Sequence, residues 1–303
     1  MARISAIRER NKFSEADIPE FESKLFFEGD RTVRYLVRFS VLLFLSTVIA
    51  AFGVLQDSTA AVIGAMIIAP LMTPIVATTA ALIMGNAQRA WRSFLLVIAG
   101  ALGVIIVSAG FGILGIHTVE LTHNPQITAR VAPRLIDLII ALASGTAGAV
   151  AISRSDIADS IPGVAISISL VPPLCVAGIS LSAANWINAM GALLLFSVNF
   201  LSILLAGGAV FAFMGLGKAV AENMSHQKKR RVYRIIIFGL VLIAIPLTIA
   251  SHKVYRDTSA QARIRNHVSH WVNQYPTDFV VKSVLVSGSE AKIIISGPER
   301  PST

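Results

Sequence analysis

Pro70 and Pro74 fall near the middle of one long apolar stretch, and Pro172 and Pro173 near the middle of another. Proline has no backbone N–H and its ring clashes with the preceding turn, so inside a helix each one releases a carbonyl from the ladder. On this count Pro70 frees the carbonyl of Met66 and Pro74 that of Pro70, while Pro172 and Pro173 free those of Ile168 and Ser169. Within hydrocarbon, freed carbonyls need partners, which confines broken backbone to protein-lined or water-filled surroundings. Freed carbonyls suit a cation, whereas the N-terminus of a half-helix suits an anion or a carboxylate. A kink that only shapes the helix is the alternative use of the same prolines.

Small polar residues lie at similar depth, counted from the ends of the apolar stretches. They are Ser46 and Thr47, Thr73, Ser144 and Thr146, Ser167 and Ser169, and Asn199. Together with the prolines this gives a candidate substrate-binding set of Pro70, Thr73, Pro74, Ser144, Thr146, Ser169, Pro172, Pro173 and Asn199. The alternative is structural: hydroxyls bond within their own helices, and Asn199 joins two helices at a gain of about 1 kcal/mol. Asp57 and Asp156 each open one of the broken stretches. Either they cap a helix and meet its dipole, or they stand at a gate. Asp137 lies about one turn inside its span with Arg134 one turn earlier. A salt bridge near the interface is expected there, because a charge at mid-membrane costs about 3 kcal/mol or more.

The chemistry that is missing narrows the function. No carboxylate and no histidine lies deep in a span, and the sequence contains no H-E-x-x-H, G-x-S-x-G or P-loop. The expectation is a protein that is not an enzyme and that carries no cofactor and no metal. Cys175 is the single cysteine, which excludes an intrachain disulfide.

Composition sets the elements that position these residues. Over half of the 303 residues are apolar and 14% are charged, with a mean hydropathy of +0.71. A soluble chain would be about a quarter charged, and about 20 apolar residues cross a bilayer. The expectation is an all-α polytopic membrane protein with seven spans, near 36–55, 58–84, 91–116, 133–152, 160–184, 187–216 and 235–251. No cleavable leader is apparent in the mixed-charge N-terminus. The net charge of +9 reflects basic residues flanking spans, which sets orientation and does not point to nucleic acid. Arg31, Arg34 and Arg38 and the run Lys228 to Arg231 favour a cytoplasmic N-terminus in the cell membrane and an extracytoplasmic C-terminus. Residues 1–34 read as a polar head with a short helix, capped by Asp17 and carrying Phe21 and Leu25 on one face, that lies on the membrane surface or against the bundle. Residues 252–303 read as a small α+β tail, a helix through Ile264, Val268 and Trp271 followed by a hairpin.

Sliding the chain by 99 residues superimposes the two broken stretches. Asp57, Gly64, Ile67, Leu71, Pro74, Leu82, Asn86 and Ala90 meet identical residues, 8 of 34 ungapped positions, where about three would match by chance. The offset also maps span one onto four and span three onto six. A three-span unit reverses orientation when repeated, so the expectation is a 3+3 inverted repeat (35–116 and 133–216) with an added seventh helix at 235–251. Inverted repeats with matching interrupted spans point to a transporter-like site.

The block "DSTAAVIGAMIIAPLMTPI", the preceding "FEGD" and "IPGVAISISLVPPL" resemble the prokaryotic hydrophobic membrane family termed domain of unknown function 389. The resemblance covers roughly residues 25–250 and implies an integral membrane protein, with no catalytic or ligand residues. Two functions stay open. One is passage of an unidentified small solute or ion through a midplane site at the two breaks. The other is a non-transporting membrane scaffold or sensor that assembles, as a homo-oligomer for example, through Gly/Ala-rich faces. Lipid is the expected surrounding in both.

Overall fold

The computed structural model describes residues 13–29, 31–115, 124–153, 170–221, 259–271, 280–287 and 290–296, with single positions 234, 252 and 256. The expected seventh span, the first half of the fifth, and with it Asp156 and Ser169, lie outside the described residues. Within them the chain is a helical bundle with one β-hairpin.

Helix α1 (Ile18–Leu25) precedes α2 (Arg31–Leu55), α3 (Thr59–Ile68), α4 (Met72–Ile83) and α5 (Ala87–Gly115). Then come α6 (Pro125–Val131), α7 (Leu135–Ile152), α8 (Val171–Ser182), α9 (Trp186–Phe213) and α10 (Leu216–Ala221). Among the described residues α2, α5 and α9 are each long and apolar enough to cross a bilayer; α3 with α4 and α6 with α7 form two bent pairs, so up to five spans are represented. Residues 259–271 are helical, and β1 (Val280–Ser287) pairs antiparallel with β2 (Glu290–Ser296). Helix and hairpin stand where the sequence placed them.

The break between α3 and α4 bends the pair by 48°, and one proline accounts for it. A residue before proline is driven from the helical to the extended region. Ala69, before Pro70, takes φ −62° and ψ 124°. Pro74 does not break anything, contrary to the sequence count. It is the third residue of α4, where its missing N–H is one of the four that have no intrahelical acceptor anyway. Pro172 and Pro173 sit likewise at the second and third positions of α8. They begin a helix and release no carbonyl of it.

The 99-residue offset reaches the hydrogen bonds. α4 and α8 are both 12 residues long and their boundaries differ by that offset, as do the starts of α5 and α9. α4 ends when the Asn86 N–H bonds the Ala81 carbonyl and the Gly85 N–H that of Leu82; α8 ends with Asn185 to Ser180 and Ala184 to Leu181. This closure needs a left-handed residue, supplied by Gly85 (φ 72°) and Ala184 (φ 54°). Asn86 then caps α5 by accepting from the Arg89 N–H at 3.0 Å, and Asn185 caps α9 by accepting from the Asn188 N–H at 3.1 Å.

Gly178 of α8 lies against Ile105, Ser108 and Ala109 of α5, and Gly112 lies against Ile179 and Ser182. The two helices therefore run in the same direction. The turn at 183–185 is beside the end of α5, while the turn at 84–86 is at its start. The two matched turns occupy opposite ends of the bundle.

The N-terminal segment packs on the bundle and not on an outer surface. Phe21 and Leu25 are buried, Phe21 meets Phe211 edge-on at 5.5 Å, and the Phe13 N–H bonds the Met214 carbonyl. Asp17 does not cap α1. Its carboxylate accepts from the Ser14 N–H and hydroxyl, both at 2.8 Å, which holds it below the ordinary aspartate range.

Candidate functional site

Two of the cavities lined by described residues lie beside α4 and α8. The larger, about 700 Å³, is lined by Phe26, Glu28, Tyr35, Pro74, Arg89 and Leu96, among others. The smaller, about 270 Å³, is lined by Gln126, Arg130, Asp137, Pro173, Leu195 and Asn199, among others. Pro74 and Leu96 in the first become Pro173 and Leu195 in the second under the 99-residue offset. Each cavity thus reaches the first turn of one half-helix.

Sequence reasoning expected one midplane site uniting both breaks, and the residues divide differently. Pro74 lines the larger cavity, and Pro173 and Asn199 line the smaller. Pro70, Thr73, Ser144 and Pro172 line neither. Thr146 is exposed on the outside of α7 and donates to the Leu142 carbonyl of its own helix at 2.9 Å. Depth along a span does not determine which face a residue occupies, and that accounts for the displaced threonine. Ser46 is buried and joins α2 to α3 by donating to the Ala65 carbonyl at 2.8 Å. Asp57 is exposed, in a left-handed turn with φ 53°. The cap of α3 is Ser58, whose hydroxyl accepts from the Ala61 N–H.

The first turns of α4 and α8 both contribute to one extended apolar cluster, which includes Leu71, Met72, Leu170, Val171 and Leu174. Leu71, Leu170 and Leu174 are almost fully buried.

Charge enters the larger cavity with the N-terminal segment. The Arg89 guanidinium donates to both carboxylate oxygens of Glu28, at 2.8 and 3.2 Å, and pairs with Glu22 at 3.0 Å. It also lies 4.8 Å from the centre of the Phe26 ring. The hydrogen bonds from Arg89 hold the Glu28 carboxyl below the ordinary glutamate range. Behind this clamp Phe27 stacks on Tyr35 at 3.9 Å.

The smaller cavity holds a different set. Asn124 caps α6 by accepting from the N–H groups of Gln126 and Ile127, and its amide donates to the Val54 carbonyl at 2.7 Å. That bond ties α6 to the end of α2. Gln126 donates to the Thr59 hydroxyl at 2.9 Å and accepts from Arg130. Asp137 accepts from the Arg134 N–H at 2.7 Å, with the Arg134 Nε at 3.7 Å, so the salt bridge expected near the interface is present.

The sequence assigns no site role to Arg89, Glu28, Gln126 or Arg130. One signal was available for Arg130: the offset pairs it with Arg31, at the start of the corresponding helix in the first half.

Residues 66–205 match the family described as Domain of unknown function (DUF389). The chain carries a DUF389 domain. The matched residues take in both matched turns, all of α4, α5 and α8, and most of α9. The uncharacterized protein MJ0678 of Methanocaldococcus jannaschii is 32% identical over 212 residues, covering 70% of this chain. The chain in turn spans 65% of the length of that relative. No solved structure matches the chain.

Proposed function

We propose that this chain is a membrane transporter or channel-like protein that moves a small solute or ion between the two cavities, past the first turns of α4 and α8. One observation carries the reading. Contacts between the halves exchange under the repeat: Thr79 meets Leu204, and Gly178, 99 residues after Thr79, meets Ile105, 99 residues before Leu204. Such exchange is what a pseudo-two-fold axis in the membrane plane generates, and transporters built this way place their sites at interrupted spans. In this reading the chain has seven spans arranged as a 3+3 inverted repeat with one added helix. Arginines before span one favour a cytoplasmic N-terminus, with the larger cavity on that side and the smaller one outside. In this reading the apolar cluster that includes Leu71 and Leu174 is the barrier between the cavities in a closed condition.

The same cluster supports the second reading, a scaffold or sensor. A dry centre between two cavities has no need to open. Osmotic swelling of proteoliposomes distinguishes the two, because it reports entry of any uncharged solute or electroneutral salt. Transport predicts faster swelling than in protein-free vesicles for at least one solute of a broad panel, with a potential-sensitive dye covering single ions. Rates equal to the protein-free control across the panel would leave the scaffold.

A further inference from the structure

Building on the transport reading, we propose that the smaller cavity is a binding site for a small carboxylate, whose carboxylate group is held by Arg130. A guanidinium offers five N–H donors, and Arg130 uses Nη1 alone, donating to the Gln126 carbonyl at 2.7 Å and to Gln126 Oε1 at 2.9 Å. These bonds fix its direction and leave the other donors available. No carboxylate among the described residues forms an ion pair with it, although Asp137 lines the same cavity. Asp137 is engaged by Arg134 instead. Arg130 and Asp137 are the charged residues of the described lining, and because Asp137 is turned to Arg134, Arg130 faces the cavity without a paired carboxylate among the described residues. A half-buried guanidinium without a counter-charge is costly, and a planar carboxylate matches its fork with two parallel hydrogen bonds.

The other walls complete a site for an organic anion. Asn199, 4% exposed, brings an amide to the floor. Pro173 and Leu195 supply apolar surface for a carbon chain. A volume of about 270 Å³ equals about nine waters at their liquid volume, room for a small organic acid.

The full chain in uncharged detergent, titrated with sodium lactate or sodium succinate against sodium chloride at equal ionic strength, tests the site by thermal unfolding. At least one carboxylate should stabilise saturably. Arg130→Gln should weaken that binding at least about tenfold, and Arg34→Gln, an exposed arginine that lines neither cavity, should leave it unchanged. Asn199→Leu fills the floor with Arg130 intact and should also weaken binding, which keeps the test decisive if Arg130→Gln does not fold. Three results would overturn the proposal: no saturable stabilisation by either carboxylate, equal stabilisation of the parent and Arg130→Gln, or Arg130-dependent protection by phosphatidylglycerol but by neither carboxylate. The last would make Arg130 a lipid-headgroup ligand. Uptake of labelled lactate and succinate into proteoliposomes separates this inference from the transport reading. Binding without uptake supports the site and removes transport of those anions; absence of binding removes the site while swelling with other solutes still reports transport.

Discussion

The Thr79 hydroxyl lies 3.5 Å from the Leu204 carbonyl oxygen, and the same contact recurs with the halves exchanged where Gly178 meets Ile105. The two contacts are not equally close. A methyl group on Gly178 would overlap the Ser108 hydroxyl and the Ile105 carbonyl, whereas one on Gly207 would meet Ala149 and Thr79 at 3.7 Å. Gly178→Ala should therefore destabilise the protein by about 1–3 kcal/mol or more, as overpacking does, while Gly207→Ala should change stability by less than about 1 kcal/mol. Thermal unfolding in detergent measures both, and equal effects would show that α5 and α8 are free to part.

The matched turns give a second contrast. Ala184 holds a left-handed conformation that costs a non-glycine residue about 1–2 kcal/mol, and Gly85 holds its counterpart. Gly85→Ala should lower stability by about 1 kcal/mol, and Ala184→Gly should raise it by up to about that amount. A loss on Ala184→Gly would mean that the Ala184 methyl packs usefully.

Helix α4 gives a third. Pro70 sets the extended conformation of Ala69, and Pro74 only begins the helix that follows. Pro70→Ala should let α3 and α4 join and straighten from 48°, seen as a longer distance between spin labels at Ile63 and Leu82. Pro74→Ala should leave that distance unchanged.

Much of this fold is legible in the sequence because apolar span length and a fixed offset survive without any knowledge of packing. The ends of α4 and α8, and the paired caps Asn86 and Asn185, all follow from the 99-residue shift. The sites were less legible. Thr146 and Asn199 are both polar residues inside apolar helices, yet one faces outward and the other lines a cavity, and only helix packing distinguishes them. Arg89 and Glu28 are 61 residues apart, and neither carries a local signal of the other. Pro74 reads as a break in the sequence because nothing local shows that the helix restarts at Met72, two residues after Pro70.

The clamp between Arg89 and the N-terminal segment should depend on pH. The folded-state Glu28 carboxyl lies below its ordinary range, so its contribution is present at neutral pH and is lost as the pH falls through and below that range. Protection of residues 13–29 from limited proteolysis should hold at pH 7 and decline in acid, and Arg89→Ala should abolish it at pH 7. Unchanged protection in Arg89→Ala would assign the docking to Phe21 and Leu25 alone.

The inverted relation of the two halves is the central claim, and the matched turns test it most directly. Gln88 and Ile187 are both exposed and differ by the repeat offset. Single cysteines at these positions, in a Cys175→Ala background, are to be labelled with a membrane-impermeant maleimide in intact cells and in inverted vesicles. The account predicts that the cysteine at 88 labels only in inverted vesicles and the one at 187 only in intact cells. Labelling of both from the same side would contradict it.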